Sequence, residues 1–159
     1  MKKLKLKEWI PTEVHDWEGK ENDVLVLNYT MQCALACDFC CYGCNPKRKE
    51  KMPFELAERL IREAAELDTF SSVGFTGGEP LLFPEEISAL ADVLFEVNLP
   101  FTIATAAHWA INDDYSKTLL GYLKSKGLIR LNISHDPSHM KFVDKAIVMN
   151  AVRAASELG

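Results

Sequence analysis

Short apolar runs and longer amphipathic segments alternate along most of this chain. The run "DVLVLNYT" at 23–30 is rich in Val and Leu and is bounded by polar residues, which is typical of a buried strand. The segment at 53–67 begins with Pro at a favourable first helical position and repeats apolar residues at helical spacing. The predicted inner face of this helix consists of Leu56, Leu60, Ile61, Ala64 and Leu67.

The same alternation is repeated three more times. Further strands are predicted at 71–76, 100–105 and 128–134, and further helices at 84–98, 113–127 and about 139–158. Gly159 follows the last of these helices, where a C-cap is expected. Four βα units in succession predict an α/β fold with a parallel sheet and right-handed crossovers.

The number of units raises a question about the architecture. A parallel sheet needs cover on both faces, whereas each predicted helix returns along the same side. A curved (β/α) barrel would resolve this, and four units supply about half of its eight-unit ring. The sequence ends where a fifth strand would begin, so we expect a truncated polypeptide, or a half barrel completed by another chain. A flat, doubly wound sheet is the alternative.

Composition narrows the class of protein. The 159 residues suffice for one domain with a core, which we place at 23–159, with an N-terminal extension at 1–22. A net charge of −5 argues against a general nucleic-acid binder. No apolar run reaches the ~18 residues of a membrane span, and "MKKLKLKEW" lacks the apolar region of a secretory signal. We therefore expect a cytoplasmic protein, in a compartment where structural disulfides are rare.

All five cysteines lie within one run of twelve residues, "CALACDFCCYGC". Isolated free cysteines usually behave as small core residues, so a run of five indicates a shared metal or cluster. Cys33, Cys37 and Cys40 are spaced C-x3-C-x2-C. Iron–sulfur clusters are held by thiolates from short loops, and three ligands would leave one iron of a cubane open to a small molecule. The loop follows the first strand, where barrel active sites are built.

Two other interpretations of the cysteine run remain open. Cys37, Cys40, Cys41 and Cys44 form two C-x2-C pairs, and four sulfurs suit structural zinc, although the pairs lack the intervening segment of a zinc ribbon. That interpretation predicts a non-catalytic, zinc-binding interaction module. A redox dithiol at Cys37 and Cys40 would instead predict a reversible disulfide without metal. Cys41 and Cys44 lie outside the three-cysteine pattern and are not predicted as ligands.

Two later strand ends carry further candidate chemistry. In "TGGEP" at 76–80, consecutive glycines can adopt positive φ, so that backbone N–H groups form a concave surface. A plain turn is the alternative. In "NISHDPSH" at 132–139, a capping loop in which Asp136 or Ser138 begins the next helix is one interpretation. His135 and His139 are spaced for a shared metal but suit an ordinary polar loop better, and His139 could exchange a proton near a substrate.

The cysteine spacing followed one βα unit later by "GGE" resembles the radical S-adenosylmethionine (SAM) superfamily. The resemblance covers about 23–158 and is most specific at "CALACDFC" and "TGGEP". It implies a partial barrel of the TIM type with a [4Fe–4S] cluster on Cys33, Cys37 and Cys40, and with Phe39 as the usual aromatic residue before the last cysteine. It also implies that the open iron chelates SAM, whose reductive cleavage yields a 5′-deoxyadenosyl radical that abstracts hydrogen from a substrate.

The resemblance also implies contacts for SAM. Gly77, Gly78 and Glu79 would receive its methionine amino group. Ser134 would contact the ribose, and Asp136 the ribose or the substrate.

The third strand end departs from the family pattern. Ala106 and Ala107 follow Thr105 where many relatives have Asn-Gly, so any contact by that asparagine is absent. Trp109 could form a wall of the site, although a buried core position is expected for it.

Within the superfamily, "CDFCCYGC", the Trp after the third strand and "ISHDPSHMKFV" resemble maturases of ribosomally made peptides, in particular epimerases of the epipeptide type. The implied partners are a peptide or small-protein substrate and an electron donor such as flavodoxin or ferredoxin. A glycyl-radical-enzyme activating protein is the alternative. The fifth and sixth strands, which help to bind adenine in the family, are not in this sequence, so the resemblance does not establish turnover by this length of chain.

Overall fold

The computed structural model describes residues 24–67 and 69–159; the predicted extension at 1–22 lies outside these ranges. Strands and helices alternate through the described residues, as β1 (Val24–Thr30), α1 (Phe54–Glu66), β2 (Ser72–Gly77), α2 (Pro84–Glu96), β3 (Phe101–Thr105), α3 (Asp113–Ser125), β4 (Leu128–Ile133) and α4 (Lys145–Leu158). Short 3₁₀ turns occupy Pro80–Leu82 and His139–Lys141. None of the described helices has the length and apolar character that crossing a bilayer requires.

The four strands form one parallel sheet in the order β1-β2-β3-β4. Because parallel crossovers are right-handed, a sheet that adds each strand on the same side carries all of its helices on one face. A doubly wound sheet requires the strand order to reverse, so that alternative is excluded for the described strands. The predicted parallel βα repeat is confirmed.

The core lies between this sheet and the helices. Strand side chains that point toward the helices are almost fully buried, and they include Leu27, Tyr29, Val73, Phe75, Phe101 and Ile103. On the opposite face, a Cβ at Gly74 would meet the side chains of Val24 and Val26 at 3.6 and 3.8 Å. Val26 is 58% exposed. The expectation that the first strand is buried is therefore wrong for this face, because none of the described helices covers it.

Two predicted helices differ in extent from the observed ones. Leu67 has extended backbone after α1 and is exposed, so it does not join the inner face of that helix. The predicted helix at 139–158 is divided, because Asp144 caps α4 by accepting a hydrogen bond from the Ala146 N–H at 2.7 Å. Gly159 has a φ of +78° at the end of α4, as expected for a C-cap.

Candidate functional site

A cleft of about 230 Å³ lies at the carboxyl ends of the four strands. Parallel strands bring these ends to one edge of the sheet, so loops that are distant in sequence meet there. The walls are formed by the cysteine loop after β1, the glycine turn after β2, the end of β3 and the loop after β4. The residues that line the cleft are Cys33, Leu35, Cys37, Phe39, Cys40, Cys41, Cys44, Thr76, Gly77, Gly78, Ala104, Thr105, Ala106, Ser134 and His139. Of the predicted site residues, the structure brings seven into this wall and leaves Glu79 and Asp136 out of it.

The cysteine loop is closed at its base. Thr30 and Lys51 form an antiparallel bridge, and the Met52 N–H donates to the Tyr29 carbonyl at 2.8 Å. The Lys51 ammonium lies 2.5 Å from the Glu86 carboxylate, to which the Tyr29 hydroxyl also donates. The start and the end of the loop are therefore fixed to β1 and α2, which limits the space available to the thiols between them.

The thiols of the loop differ in their surroundings, although all five are free. The Cys33 sulfur accepts the Leu35 N–H at 3.4 Å, but burial dominates and raises the pKa of Cys33 to about 11. Burial, with a smaller contribution from Cys40, also raises the pKa of Cys37. At Cys40, burial acts in the same direction but is outweighed by hydrogen bonds, including the Cys44 N–H at 3.4 Å, so the pKa is lowered. Metal uptake would consequently release protons, most of all from Cys33 and Cys37.

The chemistry of this donor set fits a cubane cluster. Cys33, Cys37 and Cys40 supply three thiols to one cleft, and the facing wall is made of small residues at Gly77 and Gly78. No three His, Cys, Asp or Glu side chains of the described ranges are arranged to hold a single metal ion. A cubane does not require such a set, since each thiolate binds a different iron. Three thiols would leave the fourth iron open.

The glycine turn after β2 is pressed against the start of the cysteine loop. Gly77 has a φ of +120°, and a Cβ on Gly78 would lie 2.1 Å from the carbonyl oxygen of Gln32. The N–H groups of Gly78 and Glu79 donate to the carbonyls of Thr30 and Gln32 at 2.6 and 2.9 Å. The interpretation that these glycines present backbone N–H groups to a ligand is therefore wrong for Gly78. They are required because two backbones approach closely.

Replacing Gly78 with Ala is expected to destabilise the fold by about 1–3 kcal/mol or more, because the clash is with backbone and must move the cysteine loop. Gly121→Ala is the matched control. Its added Cβ would meet only Leu158, at an ordinary 3.8 Å, and alanine favours a helix interior by about 0.5–1 kcal/mol. Urea unfolding of both variants measures the difference, and equal stability would contradict the proposed packing.

Glu79 lies behind the cleft wall and is fully buried. Its carboxylate accepts hydrogen bonds from the Leu81 N–H at 3.1 Å, the Thr105 hydroxyl at 2.9 Å and the Ala106 N–H at 2.8 Å. Thr105 in turn accepts from the Trp109 indole at 2.9 Å. Glu79 thus joins the ends of β2 and β3, and its predicted contact with SAM stays a prediction. The expected core position of Trp109 is confirmed, since it is 5% exposed.

The turn after β3 keeps a conformation that favours glycine although no glycine is present. Ala107 has a φ of +59° and is fully buried, and its N–H donates to the Thr105 hydroxyl oxygen at 2.9 Å. His108, next along the turn, places Nδ1 3.6 Å from the Glu79 carboxylate. No pattern in the sequence indicates this contact, because it depends on the fold of the turn.

At the end of β4, two polar residues lie differently with respect to the cleft. Ser134 lines the cleft as predicted. The Asp136 carboxylate accepts the Ser138 N–H at 2.8 Å and lies 2.6 Å from Nδ1 of His139, so it is bonded within its own loop. Ser138 precedes the 3₁₀ turn and Asp144 caps α4, so Asp136 does not begin the next helix. His139 itself lines the cleft. With Nδ1 paired to Asp136, Nε2 is the ring nitrogen left for a ligand.

The loop after β4 is docked onto the cysteine loop. The rings of Phe39 and His139 meet edge to face with centroids 5.5 Å apart, and the Lys141 ammonium lies 2.6 Å from the Asp38 carboxylate. Phe39 is 62% exposed at the mouth of the cleft. These contacts place an aromatic face beside the three thiols, where it can pack against a bound ligand.

The family model of the radical SAM superfamily matches residues 27–159 of this chain. The chain belongs to the radical SAM superfamily. Proteins of this superfamily use a [4Fe–4S] cluster together with SAM. The superfamily resemblance inferred from the three cysteines and the GGE stretch is therefore confirmed, whereas the roles of the individual residues stay predictions.

Curated relatives include YydG of Bacillus subtilis (strain 168), which its name assigns to peptide biosynthesis. It is 26% identical over 129 residues, which are 81% of this chain and 40% of YydG. A protein named "Probable GTP 3′,8-cyclase" from Methanopyrus kandleri is 33% identical over 135 residues, which are 83% of this chain and 40% of that protein. The chain thus spans about two fifths of the length of these relatives.

Two solved structures share the fold. Methylornithine synthase (PylB) superposes with a TM-score of 0.56 at 18% identity, covering 86% of this chain and 42% of PylB. Native anSMEcpe with bound AdoMet gives 0.58 at 22% identity, covering 85% of this chain and 40% of that protein. The four βα units therefore correspond to part of a larger radical SAM fold, which confirms the predicted partial barrel.

Proposed function

We propose that this chain is the cluster-binding part of a radical SAM enzyme that acts on a peptide. The observation that carries the proposal is the cleft, in which Cys33, Cys37 and Cys40 face the glycine turn and Ser134 at the carboxyl ends of four parallel strands. When bound and reduced, the cluster would supply one electron for the cleavage of SAM to methionine and a 5′-deoxyadenosyl radical, which would take a hydrogen atom from the substrate.

The residues of the cleft divide this task between holding the cluster and holding SAM. The three cysteines provide the thiolates. Gly77 and Gly78, which lack side chains and so let the glycine turn lie against the cysteine loop, form the wall proposed for the methionine end of SAM. Ser134 offers a hydroxyl for the ribose. Asp136 acts indirectly, because its carboxylate orients the ring of His139. Glu79 joins the ends of β2 and β3 through its hydrogen bonds, which keeps the glycine turn and the end of β3 together at the cleft.

A peptide is the proposed substrate because YydG, named for peptide biosynthesis, matches 81% of this chain. The sequence features shared with epipeptide-type maturases favour epimerisation of a residue within that peptide. We further propose that a small redox protein, flavodoxin or ferredoxin, supplies the electron. The remaining barrel strands would come from the rest of a longer polypeptide or from a second chain.

The test of this function uses the reconstituted protein, in this length and in a longer form, with dithionite, SAM and a candidate ribosomal precursor peptide. The expected products are 5′-deoxyadenosine and a peptide with one inverted residue, detected by mass spectrometry in deuterated water and by chiral amino-acid analysis. Formation of 5′-deoxyadenosine with an unchanged peptide would contradict the proposed peptide substrate but not the proposed cleavage of SAM. Failure of both forms to cleave SAM, despite a full complement of iron, would contradict the proposed activity.

A further inference from the structure

His139 lines the cleft, and both its backbone and its ring are held in place. Its N–H donates to Oδ1 of Asp136 at 3.2 Å, and its carbonyl accepts the N–H groups of Phe142 and Val143 at 2.9 and 3.1 Å. Its ring meets that of Phe39 edge to face, with the centroids 5.5 Å apart. The wall of the cleft therefore contains a polar ring whose position is set by the protein itself.

The Asp136 carboxylate decides which nitrogen of the neutral ring carries the proton. Oδ1 accepts the backbone N–H groups of Ser138 and His139, and Oδ2 lies 2.6 Å from Nδ1 of His139. An ionised carboxylate can only accept hydrogen bonds, so the neutral imidazole carries its proton on Nδ1. Nε2 then bears a lone pair and is a hydrogen-bond acceptor.

The second histidine of this loop lies in different surroundings. His135 is exposed and is not among the residues that line the cleft. An ordinary polar loop, which the sequence suggested for both histidines, therefore describes His135. It does not describe His139, whose ring is oriented by a carboxylate and faces the cleft.

A ligand group that pairs with Nε2 has to be a hydrogen-bond donor. Ser134, on the same loop, also lines the cleft, and in the proposed function it contacts the ribose of SAM. The methionine end is assigned to the glycine turn after β2, so the ribose is the part of SAM that lies at the loop after β4. A ribose hydroxyl is a neutral donor, as a neutral imidazole acceptor requires.

We propose that His139 is a SAM-binding residue whose Nε2 accepts a hydrogen bond from a ribose hydroxyl, and that Asp136 is the positioning residue that holds the ring in the accepting tautomer. The inference rests on the proposed function, because it requires SAM to be bound in this cleft. It transfers the contact that the family resemblance implies for Asp136 to a side chain that lines the cleft.

The experiment measures the dissociation constant of SAM for the reconstituted protein by equilibrium dialysis at about pH 8, where an ordinary histidine is neutral. His139→Phe keeps an aromatic ring and removes both nitrogens. Asp136→Asn keeps an oxygen for the two backbone N–H groups and turns its NH₂ toward Nδ1, which moves the ring proton to Nε2. His135→Gln is the matched control, because it removes a histidine of the same loop outside the cleft. Iron and sulfide are measured first.

The expected result is full iron content in all four proteins and an unchanged affinity for SAM in His135→Gln. SAM is expected to bind about two- to tenfold more weakly to His139→Phe, the effect of one lost hydrogen bond. Asp136→Asn is expected to weaken binding at least as much, because a donor then faces a donor. A SAM analogue without ribose hydroxyls is expected to bind equally to the wild-type protein and to His139→Phe.

Unchanged affinity for SAM in His139→Phe or in Asp136→Asn would overturn the inference, since Asn preserves the backbone contacts that a purely structural role requires. An equal loss of affinity for SAM and for the analogue in His139→Phe would also overturn it. If His139→Phe loses iron, Asp136→Asn decides by itself. If the wild-type protein binds a cluster but no SAM, in this length and in a longer form, it is the proposed function that fails, so the two failures are distinguishable.

Discussion

Cys33→Ala is expected to abolish assembly of the [4Fe–4S] cluster, whereas Cys41→Ala is expected to leave it intact. Loss of one of three thiolates leaves a second iron without a protein ligand, and Cys33 lies in the cleft with the other two. Iron and acid-labile sulfide per chain after anaerobic reconstitution measure the effect. The expected values are about four of each for wild type and Cys41→Ala, as a [4Fe–4S] cluster requires, and near zero for Cys33→Ala.

This pair of variants also separates the cluster from structural zinc. The zinc interpretation uses Cys37, Cys40, Cys41 and Cys44 and leaves Cys33 out. It therefore predicts the reverse pattern, in which Cys41→Ala loses the metal and Cys33→Ala retains it. That outcome, with zinc and no sulfide, would contradict the assignment of Cys33 as a ligand.

Glu79→Ala is expected to be the most destabilising single change near the cleft. The substitution removes a fully buried carboxylate and leaves the Leu81 and Ala106 N–H groups and the Thr105 hydroxyl without their acceptor. An unsatisfied buried donor costs about 1–3 kcal/mol, so a loss of about 3 kcal/mol or more in the free energy of unfolding is expected. Urea denaturation of the cluster-free protein measures it without reference to SAM.

Glu63→Ala is the control for the loss of a glutamate. Glu63 lies 3.6 Å from Arg59 on the exposed face of α1, and surface pairs of this kind contribute about 0–1 kcal/mol. From the sequence alone, Glu79→Ala would be expected to weaken SAM binding and leave cluster content intact. The buried network predicts that stability falls as well. Equal stability of the two variants would show that Glu79 does not join the strand ends as described.

The fold was largely predictable because each element carries its own periodic signal. Alternating strands and helices with short connections allow few arrangements once crossovers are right-handed. The exposure of Val26 was not predictable, because apolar residues on both sides of a strand suggest two covered faces. Among the residues that the structure describes, no helix packs on the second face of β1, and Val26 is exposed there.

The candidate site was predictable where it depended on topology and not where it depended on side-chain direction. The carboxyl ends of parallel strands must meet, so Cys33 and Gly77 were expected to be neighbours. The turn geometry that aims Glu79 at Thr105, 26 residues later, has no local signature. The 2.6 Å contact between the Asp136 carboxylate and Nδ1 of His139 has no local signature either. His139, and not Asp136, lines the cleft.

The measurement that tests the central claim most directly is electron paramagnetic resonance of the reconstituted, reduced protein with and without SAM. A [4Fe–4S] signal whose shape changes when SAM is added is the predicted result, because three cysteine ligands leave one iron open to the cofactor. A reconstituted protein that contains zinc, or a cluster whose signal SAM does not change in either this length or a longer form of the chain, would contradict it.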